Sequence, residues 1–317
     1  MNGPGTGWPR LRAVAAGYWE LLTVLAAAVV GLCVQPPLAW LDARQGISIL
    51  LAVLVFATAV TIDPAALRRL TGTWRRLLAA LAAGVTVLPA LSWAVSRVVA
   101  AGSLRDGVLA VGVAPCEIAS VATTAMADGE AALAAGILIG TTVVAVVAAG
   151  PILTLEAGHA AVHPGPVIAN LALVVALPLA AGLVLRAVRP AVARAEKAAT
   201  VTATLTVAAL VALTAAEVHL SVRYLGVAAA LILFLAGSAV AGRLLGRGAP
   251  RPAAAAVLLT TSMRDFAIAA GLAAAAFGPS AAAPLGLYGI VVLVWGTAVG
   301  AAWRGRGGEP LHAAGPG

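Results

Sequence analysis

Charge is scarce in this chain. Asp, Glu, Lys and Arg make up 10% of its 317 residues against 62% hydrophobic ones, and the mean hydropathy is +1.03. A soluble domain carries roughly 25% charged and 45–50% apolar residues, so water is excluded as the solvent for this surface. Cysteine is nearly absent: Cys33 and Cys116 are the only two, both inside apolar runs, which leaves neither a disulfide framework nor a zinc spacing. The four histidines, His159, His163, His219 and His312, fall in loops, tails or span ends and form no metal-binding pattern. No G-x-x-x-x-G-K phosphate loop and no H-E-x-x-H helix occur, which excludes ATP-driven pumping within the chain and argues against a metalloenzyme.

What the chain has instead is apolar length. A helix needs about 20 residues to cross ~30 Å of hydrocarbon. Runs of that kind are expected at 19–34, 46–62, 77–100, 106–126, 130–155, 166–186, 198–216, 223–243, 253–278 and 281–303. Turn chemistry separates them, as at Gln35-Pro36-Pro37, Ala127-Asp128-Gly129, His163-Pro164-Gly165-Pro166 and Phe277-Gly278-Pro279. The expected fold is an all-α integral membrane protein of about ten helices, with no room for a separate soluble domain.

The net charge of +8 comes almost wholly from arginine, and position shows why nucleic acid is not the partner: the arginines sit between spans. With the N-terminus inside, fifteen basic residues fall in the cytoplasm, among them Arg68, Arg69, Arg75, Arg76, Arg247 and Arg251. Four fall outside (Arg44, Arg97, Arg105 and Arg223) and Arg264 lies within a span. One missed helix would invert every later loop, so this bias favours an even number of spans with both termini cytoplasmic. Met1–Arg12 lacks the arrangement of a cleaved signal and is expected to be a retained tail.

Ten spans divide into two halves of five, and an odd number turns the second half over in the membrane. Helix starts at 19 and 166, 77 and 223, 106 and 253, and 130 and 281 are offset by about 147 to 151 residues. The expected organisation is a tail over 1–18, a first five-helix repeat over 19–157, an inverted repeat over 158–303 and a tail over 304–317.

The fourth and ninth spans correspond under that offset, and both are polar at their centres. Pro115 removes a backbone donor just before Glu117 in the fourth, predicting a broken helix. The ninth carries Thr260, Thr261, Ser262, Arg264 and Asp265, and adding about 148 to Glu117 lands on Asp265. Two acids against one base leave the cluster net negative, and an uncompensated charge at the bilayer centre costs ~2.5–3.5 kcal/mol. A bound sodium ion or proton, with Glu117 and Asp265 as the candidate sodium site, would cancel it. Arg264 and Asp265 are alternatively a buried ion pair, as neighbouring helical residues about 100° apart that serve different partners. Cys116 reads either as a small buried hydrophobe or as a ligand, while Ser120 and the threonines bond their own helices or line a site.

These residues resemble the bile acid:sodium symporter superfamily, which also includes arsenite efflux carriers. Leu88-Pro89-Ala90-Leu91-Ser92-Trp93, the run from Gly112 to Leu133 and the run from Ser262 to Gly278 look like its third, fourth and ninth helices. Thr61-Ile62-Asp63-Pro64 followed by Leu67-Arg68-Arg69 resembles its second-helix exit. The resemblance implies ten helices in a panel and a core domain, crossed broken helices four and nine, and cation-coupled uptake of organic anions. Differences stand beside it: those symporters continue Ala-Ser-Asn where this chain has Ala119-Ser120-Val121, and their glutamate and two glutamines fall on Thr260, Arg264 and Gly84. Glu117, where they tend to have glycine, is the candidate replacement carboxylate. Gly112-Val113-Ala114-Pro115-Cys116 also resembles the cysteine motif of the arsenite carriers, and a thiolate suits trivalent arsenic.

The expected function is therefore cation-coupled secondary transport of a small organic anion across the plasma membrane, by alternating access. The alternative is arsenite efflux through Cys116. A non-transporting receptor or a membrane enzyme is the third class, disfavoured because no catalytic constellation is visible. Expected partners are the lipid bilayer, a small-molecule or ion substrate and, as a possible arrangement, a second copy in a homodimer. No cofactor is expected beyond Na+ or H+ as the coupling ion.

Overall fold

A computed structural model of the chain describes residues 22–23, 25–34, 46–62, 73–158, 164–216 and 222–305. The expected tail over 1–18, the Gln35-Pro36-Pro37 turn, Arg44, the Asp63-Pro64 and Leu67-Arg68-Arg69 stretch, all four histidines and the tail beyond Gly305 lie outside these residues. After helical residues 25–33 come α1 (Gly46–Thr61), α2 (Trp74–Val85), α3 (Val87–Ser96), α4 (Ser103–Val113), α5 (Ala119–Met126), α6 (Ala131–Ala157), α7 (Pro164–Leu171), α8 (Leu177–Val188), α9 (Glu196–Ala216), α10 (Arg223–Leu245), α11 (Arg251–Ser262), α12 (Phe266–Phe277) and α13 (Ala283–Gly305). Among the described residues there is no strand, and the fold is all-α.

Among the described residues, six stretches are long and apolar enough to cross a bilayer: Trp74–Ser96, Ala131–Ala157, Gly165–Val188, Ala191–Ala216, Tyr224–Leu245 and Pro279–Trp303. Gly46–Thr61 and Phe266–Phe277 are shorter apolar helices. The fourth and ninth expected spans are missing from the six for a physical reason, because each is split into two half-helices too short to cross alone.

Proline and turn residues account for the other irregularities. Thr86 leaves helical geometry (φ −125°, ψ −69°) between α2 and α3, three residues before Pro89, whose ring clashes with the carbonyl four positions back. A five-residue π turn, Ala172–Ala176, joins α7 to α8 just before Pro178, where the same conflict arises. Gly158 ends α6 in the left-handed region at φ 64°, and Asp128 takes φ 53° in the turn before α6, a conformation that aspartate tolerates better than most residues.

Helix α1 packs against α8 and α9, α2 against α6, α3 against α4, α10 against α11, and α4 against α12. Small residues permit the close approaches, as in membrane helices generally. A Cβ on Gly289 of α13 would lie 2.9 Å from the Phe266 ring, and one on Gly242 of α10 would lie 3.0 Å from the Leu258 backbone. Large apolar side chains such as Leu155, Leu173, Leu225 and Val240 stay exposed, as lipid-facing residues do. Arg75 lies over the Trp74 ring at one end of the α2–α3 stretch and Arg97 over the Trp93 ring at the other, pairings that suit the two membrane boundaries. The Arg251 guanidinium donates to the Trp303 carbonyl (2.7 Å) and the Glu130 N–H to the Pro252 carbonyl (2.9 Å), so the start of α11 is tied to the ends of two other elements.

Candidate functional site

The four half-helices end around one point. Helix α4 stops at Val113 and Ala114 turns extended (φ −63°, ψ 151°), as the α region is disfavoured for a residue preceding proline. Helix α11 stops at Ser262, after which Met263 (φ −88°, ψ 110°) and Asp265 (φ −70°, ψ 106°) are also extended. The two breaks pair with each other. The Glu117 N–H donates to the Met263 carbonyl (2.8 Å) and the Asp265 N–H to the Pro115 carbonyl (2.9 Å), with Cys116 antiparallel to Arg264 between them.

Cys116 and Arg264 are thus the pair flanked by the hydrogen bonds, and such pairs bring their side chains closest together. They stand 148 positions apart, 264 less 116, which is the offset read between the fourth and ninth spans. The N–H groups of this central pair point away from each other. That of Cys116 donates to Thr141 Oγ1 on α6 (3.2 Å), and that of Arg264 to the Tyr288 hydroxyl on α13 (3.3 Å). The unwound backbone is therefore satisfied by itself and by two hydroxyls, as apolar surroundings require.

Extended geometry also redirects the charges. Successive residues alternate sides, so Arg264 and Asp265 point to opposite faces of the crossing rather than about 100° apart as on a helix. The Arg264 guanidinium donates to the Ala114 carbonyl at the end of α4. The Asp265 carboxylate caps α12, accepting from the Ile268 N–H (2.8 Å), and Glu117 accepts from the Phe266 N–H on the same turn (3.4 Å). No ion pair joins Arg264 to either acid among the described residues. Each charge meets instead the helix end of opposite partial sign, the carbonyl end of α4 for the guanidinium and the amide end of α12 for the two carboxylates. All are deeply buried: Glu117 and Arg264 are 2% exposed, Cys116 and Asp265 0%.

The remaining sequence-derived candidates divide. Ser120 is buried in α5 and its hydroxyl donates to the Cys116 sulfur (3.9 Å). Thr260 bonds the Ala256 carbonyl of its own helix (2.7 Å). Ser262 bonds the Leu259 carbonyl (3.4 Å) and accepts from the Trp295 indole N–H (3.1 Å). Thr261 Oγ1, Arg264 Nε and Asp265 Oδ2 are buried without a hydrogen-bond partner among the described residues. A narrow pocket lined by Leu81, Gly84, Val113, Thr141, Ala145 and Arg264 opens between α2, α4 and α6.

Two contributors escaped the sequence reading, Tyr288 and Trp295. Their signal was available, since a tyrosine or tryptophan inside an apolar span needs a partner for its O–H or N–H.

A family model described as the Sodium Bile acid symporter family matches residues 48–228, more than half of the chain and inclusive of the Pro115-Cys116-Glu117 break. No curated protein matches the sequence. The all-α architecture, the six apolar helices of spanning length and this match agree: the chain is a transporter-type membrane protein and belongs to the sodium bile acid symporter family.

Proposed function

We propose that the chain is a secondary transporter that couples the movement of sodium ions or protons to that of a small organic anion, by alternating access across the plasma membrane. In this reading residues 19–157 and 158–303 are inverted five-helix repeats giving ten spans, and both termini are cytoplasmic. The observation that supports it most is the paired crossing, which gathers Glu117, Arg264 and Asp265 from segments that are distant in the chain. Broken helices of this kind offer carbonyls, helix ends and carboxylates to small ions.

Glu117 and Asp265 take the coupling cation. They meet on one turn of α12, and among the described residues neither is paired with a guanidinium and Asp265 Oδ2 has no hydrogen-bond partner. The substrate's negative group binds near the crossing, where Arg264 supplies positive charge. Reconstituted protein tests this: uptake of labelled organic anions into proteoliposomes is expected to follow an imposed sodium or proton gradient in the wild type, and Glu117→Gln to abolish that dependence. Unchanged transport by Glu117→Gln across sodium concentration and pH would sink the assignment.

A second reading is supported by Cys116, which lies in the break opposite a guanidinium. Sulfur is a soft ligand for trivalent arsenic. Arsenite resistance lost in Cys116→Ser cells would favour efflux of arsenite, and full resistance would remove this reading.

A further inference from the structure

Away from the crossing, the chain from Trp74 to Val98 lies beside α10, and the two run in opposite directions. A Cβ on Gly226 would stand 3.5 Å from the Val98 carbonyl, and one on Gly237 would stand 2.8 Å from the Leu91 side chain. At the other end the Arg76 guanidinium donates to the Gly248 carbonyl (3.4 Å), just past the end of α10. Leu77 and Ala80 of α2, Leu245 of α10 and Ala253 of α11 join one apolar cluster beside that bond. Residues 172 positions apart are thus fixed next to each other.

Both elements carry an exposed apolar stripe that ends in arginine. On α2 the stripe is Trp74, Leu78 and Ala82; on α10 it is Leu233, Val240 and Leu244. Large apolar side chains left exposed along spanning helices face lipid. Arg75 and Arg76 stand at the foot of the first stripe, and Arg243 and Arg247, one turn apart, at the foot of the second. Among the described residues none of these four pairs with an acid. Arg75, Arg243 and Arg247 are exposed, with the Arg75 guanidinium 5.6 Å from the centre of the Trp74 ring. Gly248 turns the chain at φ 69°, and a Cβ there would meet nothing within 4 Å, so the foot of the groove is open. Arg251 is committed to the Trp303 carbonyl and is left out of the cluster.

What fits this surface is anionic at one end and apolar at the other. The planar fork of arginine matches phosphate oxygens, and basic positions between spanning helices suit anionic headgroups. A water-soluble polyanion would use the arginines and leave the stripes uncovered. We propose that Arg75, Arg76, Arg243 and Arg247 form a binding site for an anionic phospholipid, its phosphate held between the start of α2 and the end of α10 and its acyl chains lying along the two stripes. Such a lipid bridges segments distant in sequence, next to the start of α11, the half-helix that leads to Ser262 and the crossing. The inference rests on the membrane character of the chain and not on transport, so its failure would leave the transport reading intact.

The probe is phosphatidylglycerol. Full-length protein in a neutral detergent is melted with a rising fraction of phosphatidylglycerol in phosphatidylcholine at constant total lipid. A ligand that binds only the folded state raises the apparent midpoint as its concentration passes its Kd, so the wild-type midpoint is expected to rise saturably with that fraction. Arg75→Gln with Arg247→Gln, both at exposed positions, is expected to need about tenfold more phosphatidylglycerol for half the effect. Arg189→Gln with Arg194→Gln removes the same charge from exposed positions between α8 and α9, and is expected to respond as the wild type does. Equal weakening of both double variants would trace the response to net charge alone and overturn the site. A wild type stabilised no more by phosphatidylglycerol than by phosphatidylcholine overturns it too. Glycerol 1-phosphate raising the midpoint as far as the lipid does, at matched concentration, would assign the arginines to a free anion and overturn the lipid. Native mass spectrometry of the same preparations counts the phosphatidylglycerol retained per chain, and carries the test should the Arg75→Gln, Arg247→Gln protein melt too low to titrate. Less retention than in the wild type supports the proposal, and equal retention overturns it.

Discussion

Cys116 and Arg264 face each other at the point where two unwound segments cross, with one backbone hydrogen bond on either side of them and none between their own backbone groups. Their N–H groups are turned outward to two hydroxyls on opposite sides, Thr141 of α6 and Tyr288 of α13. The crossing is thus clamped by two side chains from helices that take no part in it. Pro115 interrupts the first segment locally, whereas the second is held extended by its contact with the first.

The clamps give a direct prediction. Thr141→Val and Tyr288→Phe each keep the side-chain shape and remove the oxygen that accepts a buried N–H. An orphaned buried donor costs about 1–3 kcal/mol, so each variant is expected to unfold at a clearly lower temperature. Tyr288→Phe keeps the edge-to-face contact with Phe234, whose ring centroid lies 6.2 Å away, so its loss reports the hydroxyl alone. Since both clamps hold one structure, the double variant is expected to depart from additivity. Wild-type stability in both single variants would contradict this account.

Asp265 combines two roles that substitution can separate. Its carboxylate is the N-cap of α12, bonded to the Ile268 N–H at 2.8 Å. Asparagine keeps an acceptor oxygen there and alanine does not. Asp265→Ala is expected to lose about 1 kcal/mol of stability, with Asp265→Asn near the wild type. Loss of cation dependence in both variants, with loss of stability in only one, would mark the charge as functional and the oxygen as structural. Thermal melts and gradient-driven uptake on the same preparations check the two parts.

The membrane class and the first break could be read from the residues because their causes are local. Apolar length gave the helices, and Pro115 before Glu117 announced an interruption. The second break has no such marker, as no proline lies between Thr260 and Phe266; Met263 is extended because its carbonyl accepts from Glu117 in the distant segment. Read as helix, Arg264 and Asp265 stood about 100° apart, with a buried ion pair as the alternative to a binding role. Seen as extended chain they part to opposite sides, and each finds a helix end. The roles of Tyr288 and Trp295 were hidden for the same reason, since their partners lie on an element that sequence spacing does not bring near them.

The α12–α13 contact offers a test of packing apart from chemistry. An alanine at Gly289 would place its Cβ 2.9 Å from the Phe266 ring, immediately beside the crossing. Overpacking of this order costs about 1–3 kcal/mol, so Gly289→Ala is expected to lower the melting temperature. Shrinking the opposing ring should relieve it: Gly289→Ala with Phe266→Leu is expected to be more stable than Gly289→Ala alone. Additive losses would mean that the two residues do not press on each other.

The last prediction concerns motion, and uses the two cysteines as reporters. Cys33 is exposed, whereas Cys116 is 0% exposed, with its sulfur accepting from Ser120. Thiol reagents attack the thiolate, so a thiol shut away from water is inert. In a Cys33→Ser background, a membrane-impermeant maleimide is therefore expected to modify Cys116 slowly. If the crossing is exposed in turn to each side of the membrane, access to Cys116 belongs to a less populated state, and a coupling ion that binds one state preferentially must change the labelling rate. The measurement is that rate with sodium or pH varied, against Glu117→Gln in the same background. A rate that responds to the cation in the parent and not in Glu117→Gln ties the opening to the carboxylate beside the thiol. Equal rates under all conditions would separate Cys116 from any such movement.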